Sequence, residues 1–176
     1  MGQYYMAVNA NTLEYVRSWT YDSGCKLMEH SWMKNGFVRT VESLLAKGGA
    51  WHGDEIVWCG DYADCADEYY ANDEGVEIKP EKSDRHYRYL YNEDKNQFVD
   101  KDKSPKDKDN WQIHPLPLLT AQGNGMGGGD YNYPDPDYLV GLWSFDSIIP
   151  CDEVPEGAEE IVFNLIEDDH YFEDDE

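Results

Sequence analysis

Between Asn35 and Gly49 the chain spells out a helix that has to lie against something flat. Phe37, Val38, Val41, Leu44 and Leu45 recur at helical spacing on one face, while Arg39, Glu42 and Ser43 lie opposite, so one stripe seeks a core and the other seeks water. Asn35 ahead of Gly36 supplies an N-cap by accepting a backbone N–H bond, and Gly48-Gly49 provides a left-handed stop. The spacing therefore predicts a helix over 36–47. Its natural partner follows at once: Ile56-Val57-Trp58-Cys59, closed by Gly60, is a short apolar run suited to a strand buried on both faces.

Other strands are legible by composition. Tyr4-Tyr5-Met6-Ala7-Val8 runs into the turn-forming Asn9-Ala10-Asn11-Thr12 and on to Leu13-Glu14-Tyr15-Val16, which reads as a β-hairpin. Tyr87, Tyr89 and Tyr91 alternate with Arg88 and Leu90, as a strand would arrange them. From Asn92 to Asn110 Asp, Lys, Asn and Gln dominate around Phe98-Val99, a pattern of turn, short strand and solvated loop. Tyr138 to Trp143 and Ile161 to Ile166 read as late strands on either side of Pro150 and the Pro155-Glu156-Gly157 turn. These elements predict a single compact α+β domain over 1–166, with a mostly antiparallel or mixed sheet, one main helix and long loops, followed by an acidic tail over 167–176. At 176 residues one core suffices, since a chain of this length buries roughly 70% of its unfolded surface.

Four stretches carry a resemblance. They are Gly2-Gln3-Tyr4-Tyr5, Lys26-Leu27-Met28-Glu29-His30-Ser31-Trp32, Val57 to Asp64, and His114-Pro115-Leu116-Pro117-Leu118-Leu119 running into Gly123 to Tyr131. Together they resemble a family of small, uncharacterised proteins from bacteria and their phages, over most of the chain from Gly2 to Trp143. The resemblance implies a bacterial or phage cytosolic origin and no particular activity.

Charge narrows the partners. With 37 Asp and Glu against 14 Lys and Arg the net charge is −23, which repels free nucleic acid and anionic membranes and attracts a basic protein or a cation. No apolar run approaches the roughly 18 residues of a membrane span, and the first residues do not read as a leader, so the expectation is a cytoplasmic protein. Cys25, Cys59, Cys65 and Cys151 lack the C-x-x-C spacing of zinc and redox sites and read as buried or incidental thiols.

Three groups of residues are candidates for chemistry. Glycines let backbone N–H groups cradle an anion, so Gly123, Gly125, Gly127 and Gly128 with Asp130 form a candidate ligand loop, lined by His114 and Arg88. That loop lacks the Lys-Ser/Thr of a P-loop, and Asp130-Tyr131-Asn132 stands where a dinucleotide fingerprint needs a helix. Asp61, Asp64 and Glu68 fall near one face if their segment is helical, which suits a divalent cation as well as a plain solvated face. The Arg85, Arg88 and tyrosine stripe suits a sheet face better than nucleic acid in so acidic a chain. No nucleophile, metal or phosphate motif is complete, and no cofactor is expected. The chain therefore reads as a non-catalytic intracellular binding protein. In its concrete form it is a phage-encoded inhibitor whose acidic surface covers a basic or nucleic-acid-binding surface of a bacterial protein. The alternative is a small-molecule or nucleotide-binding protein, sequestering or hydrolytic, that uses the loop over 123–130.

Overall fold

The computed structural model describes residues 2–69, 74–107, 109–131 and 139–164. Its frame is a mixed sheet whose strands are β1 (Tyr5–Asn9), β2 (Glu14–Val16), β3 (Glu55–Gly60), β4 (Val76–Glu77), β5 (Tyr89–Asn92), β6 (Gln97–Asp100), β7 (Ala121–Gln122), β8 (Asp146–Cys151) and β9 (Glu159–Glu160). They run in the order β4-β2-β1-β3-β8-β5-β6-β9, and β7 joins β3 off this path. Each parallel pairing involves a two-residue strand: β4 on β2, β7 on β3 and β9 on β6. The rest of the sheet is antiparallel, with β8 bridging its halves through Ile56↔Asp146 on one side and Leu90↔Pro150 on the other.

Strands β1 and β3 are buried on both faces, and their period of two sorts side chains between two cores. Tyr5, Ala7, Ile56 and Trp58 face the larger core with α2 (Gly36–Leu45), whereas Met6, Val8, Val57 and Cys59 face a smaller one closed by Ala66 and Tyr69. The other α-helices among the described residues are short: α1 (Leu27–His30), α3 (Ala66–Tyr69) and α4 (Pro115–Leu119).

Helix α2 follows its sequence closely. The Asn35 side chain accepts from the Val38 N–H at 3.1 Å and donates to the Ser23 hydroxyl and the Glu29 carbonyl, so one residue both caps the helix and ties it to α1. Phe37, Val38, Val41 and Leu45 are fully buried, each worth roughly 1.5–3 kcal/mol of transfer free energy. The helix stops earlier than the glycines suggest, because Ala46 is already extended, and Gly48 at φ 88° only completes the turn. Glu42 departs from the pattern: expected on the wet face, it is wholly buried.

Buried tryptophans find partners for their indole N–H groups. Trp51 donates to Glu14, Trp143 to Gln97, and Trp58 to Nδ1 of His30 at 3.0 Å. Of the strand expected over 138–143, residue 138 lies outside the described residues and the rest belongs to a run of turns over 139–145, where Gly141 and Phe145 both take positive φ. The strand expected from Ile161 is displaced to Glu159–Glu160, with the Ile161 N–H still donating to the Phe98 carbonyl, 162–164 outside any strand, and 165–176, including the acidic tail, outside the described residues. The tyrosine strand is confined to Tyr89–Asn92. Among the described residues no helix is long and apolar enough to cross a membrane.

Candidate functional site

The glycine loop is built around a carboxylate of its own. Oδ2 of Asp130 accepts from the backbone N–H groups of Gly125, Met126 and Gly127 at 2.9–3.1 Å and from Nε2 of Gln3 at 2.6 Å, and the Tyr5 hydroxyl bonds the same carboxyl group. The converging N–H groups make an anion nest of the kind the glycines suggest, and Asp130 fills it from within. Buried Gln3 threads the loop: its Nε2 also donates to the Gly123 carbonyl, its Oε1 accepts from the Tyr62 N–H, and its own N–H donates to the Gly128 carbonyl. A Cβ at Gly127 would sit 2.6 Å from Gln3 Cβ, so glycine here serves close packing.

His114 lies elsewhere, in a buried charged cluster. As N-cap of α4 its Nδ1 accepts from the Leu116 N–H, which leaves the proton on Nε2, 3.0 Å from Oε1 of Glu42. The other Glu42 oxygen takes the Lys101 ammonium at 2.6 Å, and all three side chains are fully buried. Burial would raise the Glu42 carboxyl, but His114 and Lys101 outweigh it and hold it below the usual range. Burial draws Lys101 down against the pull of Glu42, and it holds the His114 imidazole at about 4. His30 is likewise held at about 4 by burial, between the Trp58 indole and the Gly24 carbonyl.

Arg88 sits at the β5–β6 edge, paired with Asp100 at 3.1 Å and Asp102 at 3.6 Å, with no bond to the loop. Of the three carboxylates, Asp61 belongs to a turn rather than a helix. It bonds Tyr4 through both its N–H and its Oδ1, and its turn packs on the glycine loop through Gln3. Asp64 and Glu68 are exposed, α3 begins only at Ala66, and no metal-ligating group of three side chains assembles among the described residues.

A site that the sequence did not single out opens beside the charged cluster. A cleft of about 650 Å³ is lined by Trp32, Met33, Lys34, Arg39, His86, Asp102, Lys106, Asn110, Trp111 and Gln112. Two isolated antiparallel bridges, Trp32 with Ile113 and Lys106 with Gln112, tie its lining segments together. The Gln112 amide donates to the carbonyls of Lys101 and Ser104, and the Arg39 guanidinium to those of Met33 and Asp84. Trp111 is held up by Asp107, whose Oδ1 accepts from the Trp111 and Asp109 N–H groups, and its ring meets that of Trp32 at 5.4 Å and 57°. Trp111 remains 57% exposed, an unusual state for so large an apolar ring. Lys34, Arg39 and Lys106 bring three cations to this one opening, while Asp102 is paired with Arg88 and faces His86 at 3.4 Å.

No protein-family model, no curated protein and no solved structure matches the chain, so the site is defined by its own geometry: an α+β domain carrying an aromatic, cationic cleft.

The two buried imidazoles make stability pH-dependent. The unfolded chain takes up these protons near pH 6.5 and the folded chain only near 4, so stability is complete above about pH 6.5 and falls as pH drops. Asp130, whose carboxyl burial pushes up, acts in the opposite sense and offsets part of the loss. Each imidazole should remove about 2 kcal/mol by pH 5, which urea midpoints at pH 7 and pH 5 will register. An unchanged midpoint would contradict buried neutral imidazoles.

Proposed function

We propose that this protein is a non-catalytic binding protein whose ligand site is the Trp32–Trp111 cleft, and that the ligand is a small planar aromatic anion such as a nucleotide. One observation carries the reading. In a chain of net charge −23 with only 14 Lys and Arg, three of those cations converge with two tryptophans on one cleft. The overall field repels anions, so positive charge gathered at a partly desolvated cleft supplies a local attraction that opposes it. Its volume falls within the several hundred Å³ usual for small-molecule sites, and an exposed indole is a stacking platform for a planar ring. Among the described residues no Ser, Thr or Cys lines the cleft, and the His86–Asp102 pair is exposed, which supports binding rather than group transfer.

Isothermal titration with AMP, GMP, UMP, indole-3-acetate and inorganic phosphate tests the proposal. The aromatic anions should bind saturably and phosphate weakly. Trp111→Ala should weaken binding by roughly 5- to 100-fold, the worth of one stacked base, and Lys34→Ala with Lys106→Ala should flatten its salt dependence. Absence of saturable binding across the set, or full binding by Trp111→Ala, contradicts the cleft.

A second reading rests on the far side of the sheet. From Gly48 to Ile78 the chain has nine Asp and Glu and no Lys or Arg. Glu55, Asp64, Asp67 and Glu68 are exposed, and none makes an ion pair among the described residues. Such uncompensated charge suits docking on a basic protein surface, as an inhibitor of the bacterial or phage origin that the family resemblance implies would do. A tagged pull-down from bacterial lysate should then retain a basic protein that moderate salt releases and that the triple variant Asp64→Asn, Asp67→Asn, Glu68→Gln fails to retain. Retention unaffected by the triple variant excludes this face.

A further inference from the structure

Strand β3 ends at Gly60, and the turn that follows, closed by the Ala63 N–H on the Gly60 carbonyl and the Ala66 N–H on the Ala63 carbonyl, doubles the chain back over the strand. The reversal brings Sγ of Cys65 to 3.2 Å from Sγ of Cys59, although six positions separate them in the chain. The spacing made these look like incidental thiols, but it reckons only distance along the chain, and this turn folds that distance away. The two sulfurs differ in setting. Cys59 is wholly buried in the smaller core beside Met6 and Val57, whereas Cys65 is partly exposed at the lip of the turn.

We propose that Cys59 and Cys65 form a dithiol modification site that a small neutral or cationic disulfide oxidises to an internal disulfide, with Cys65 as the attacking thiol and Cys59 as the resolving one. Cys65, as thiolate, attacks one sulfur of the reagent RSSR. The Cys65–SR bond forms as the reagent's S–S bond breaks, and one RS⁻ leaves. Cys59 then attacks Sγ of Cys65 and expels the second RS⁻, which takes up the Cys59 proton as it leaves. The protein loses two electrons and two protons, and the reagent is reduced to two RSH.

Three observations support this order of events. Only Cys65 has access to solvent, so only it meets a reagent directly. The hydrogen bond from Cys59 holds the Cys65 thiol below its ordinary range, against burial and the nearby Glu68 and Asp64, while the same bond and burial drive Cys59 upward. The resolving sulfur already stands at 3.2 Å, so a mixed disulfide at Cys65 is short-lived. The reagent's charge follows from the setting, because Asp64, Asp67 and Glu68 surround the entry and repel an anion.

The test uses the full chain, reduced and freed of reductant, treated with cystamine or with oxidised glutathione and followed by intact mass and peptide mapping. The expected product lacks the mass of two hydrogen atoms and yields a Cys59–Cys65 cross-linked peptide, with Cys25 and Cys151 still alkylatable. Cystamine should react roughly tenfold faster than oxidised glutathione at low salt, and the ratio should shrink towards one at ~0.5 M salt. Cys59→Ser should accumulate the mixed adduct on Cys65, and Cys65→Ser should leave Cys59 unmodified. If wild type itself retains a stable mixed adduct on Cys65, or forms its disulfide through Cys25 or Cys151, the dithiol is overturned. If oxidised glutathione reacts as fast as cystamine at low salt, the charge selection is overturned.

Discussion

The buried contact of Glu42 with Lys101 and His114 is the constraint around which the cleft side of the molecule is arranged. It joins three elements distant in sequence: the middle of α2, the end of β6 and the N-cap of α4. Taking a carboxylate and an ammonium out of water costs several kcal/mol per ion, and only close geometry with every polar atom engaged offsets that cost. The 2.6 Å ammonium contact meets this demand at one carboxylate oxygen, and the His114 imidazole approaches the other at 3.0 Å without hydrogen-bond alignment. Removing one partner from such a cluster typically costs 3–5 kcal/mol, so the arrangement admits one docking of the three elements and penalises others. The cleft inherits that geometry. Arg39 lies three residues before Glu42, Asp102 follows Lys101, and Gln112 stands two before His114, with its amide bound to the Lys101 carbonyl.

The same chain distributes its charge unevenly on purpose-built terms. Interior carboxylates are consumed by structure: Glu42 by Lys101, Asp130 by the glycine loop, Asp100 by Arg88. Some of those left over stand uncompensated around α3, where Asp64, Asp67 and Glu68 are exposed, while Lys34, Arg39 and Lys106 line the cleft beside Trp111.

Much of the frame was legible in the sequence and much of the site was not. Helix α2, the first hairpin and β3 declare themselves because their periodicity and capping are local, with Asn35, Asn9 and the Ile56–Cys59 run each acting within a few residues. Glu42 was misplaced on the wet face because its partners lie 59 and 72 positions away, a distance no helical wheel contains. The glycine loop was recognisable as a nest, but the fact that Asp130 fills it depends on Gln3 entering from the other end of the chain. Trp111 borders a polar segment that reads as solvated loop, and only the Trp32–Ile113 bridge turns it into a wall of the cleft. The segment 138–143 has strand composition, yet β3 already has neighbours along both edges, so its described part, 139–143, packs as turns over Leu118 and Leu119.

The cleft is tested most directly by the indole N–H resonances of the six tryptophans during a titration with AMP. A ligand seated in the cleft produces saturable shifts of Trp32 and Trp111, accompanied by the Arg39 side chain, while buried Trp51, Trp58 and Trp143 stay in place. Shifts concentrated instead in the backbone amides of residues 123–130, with Trp32 and Trp111 unmoved, would contradict it and return the ligand site to the glycine loop.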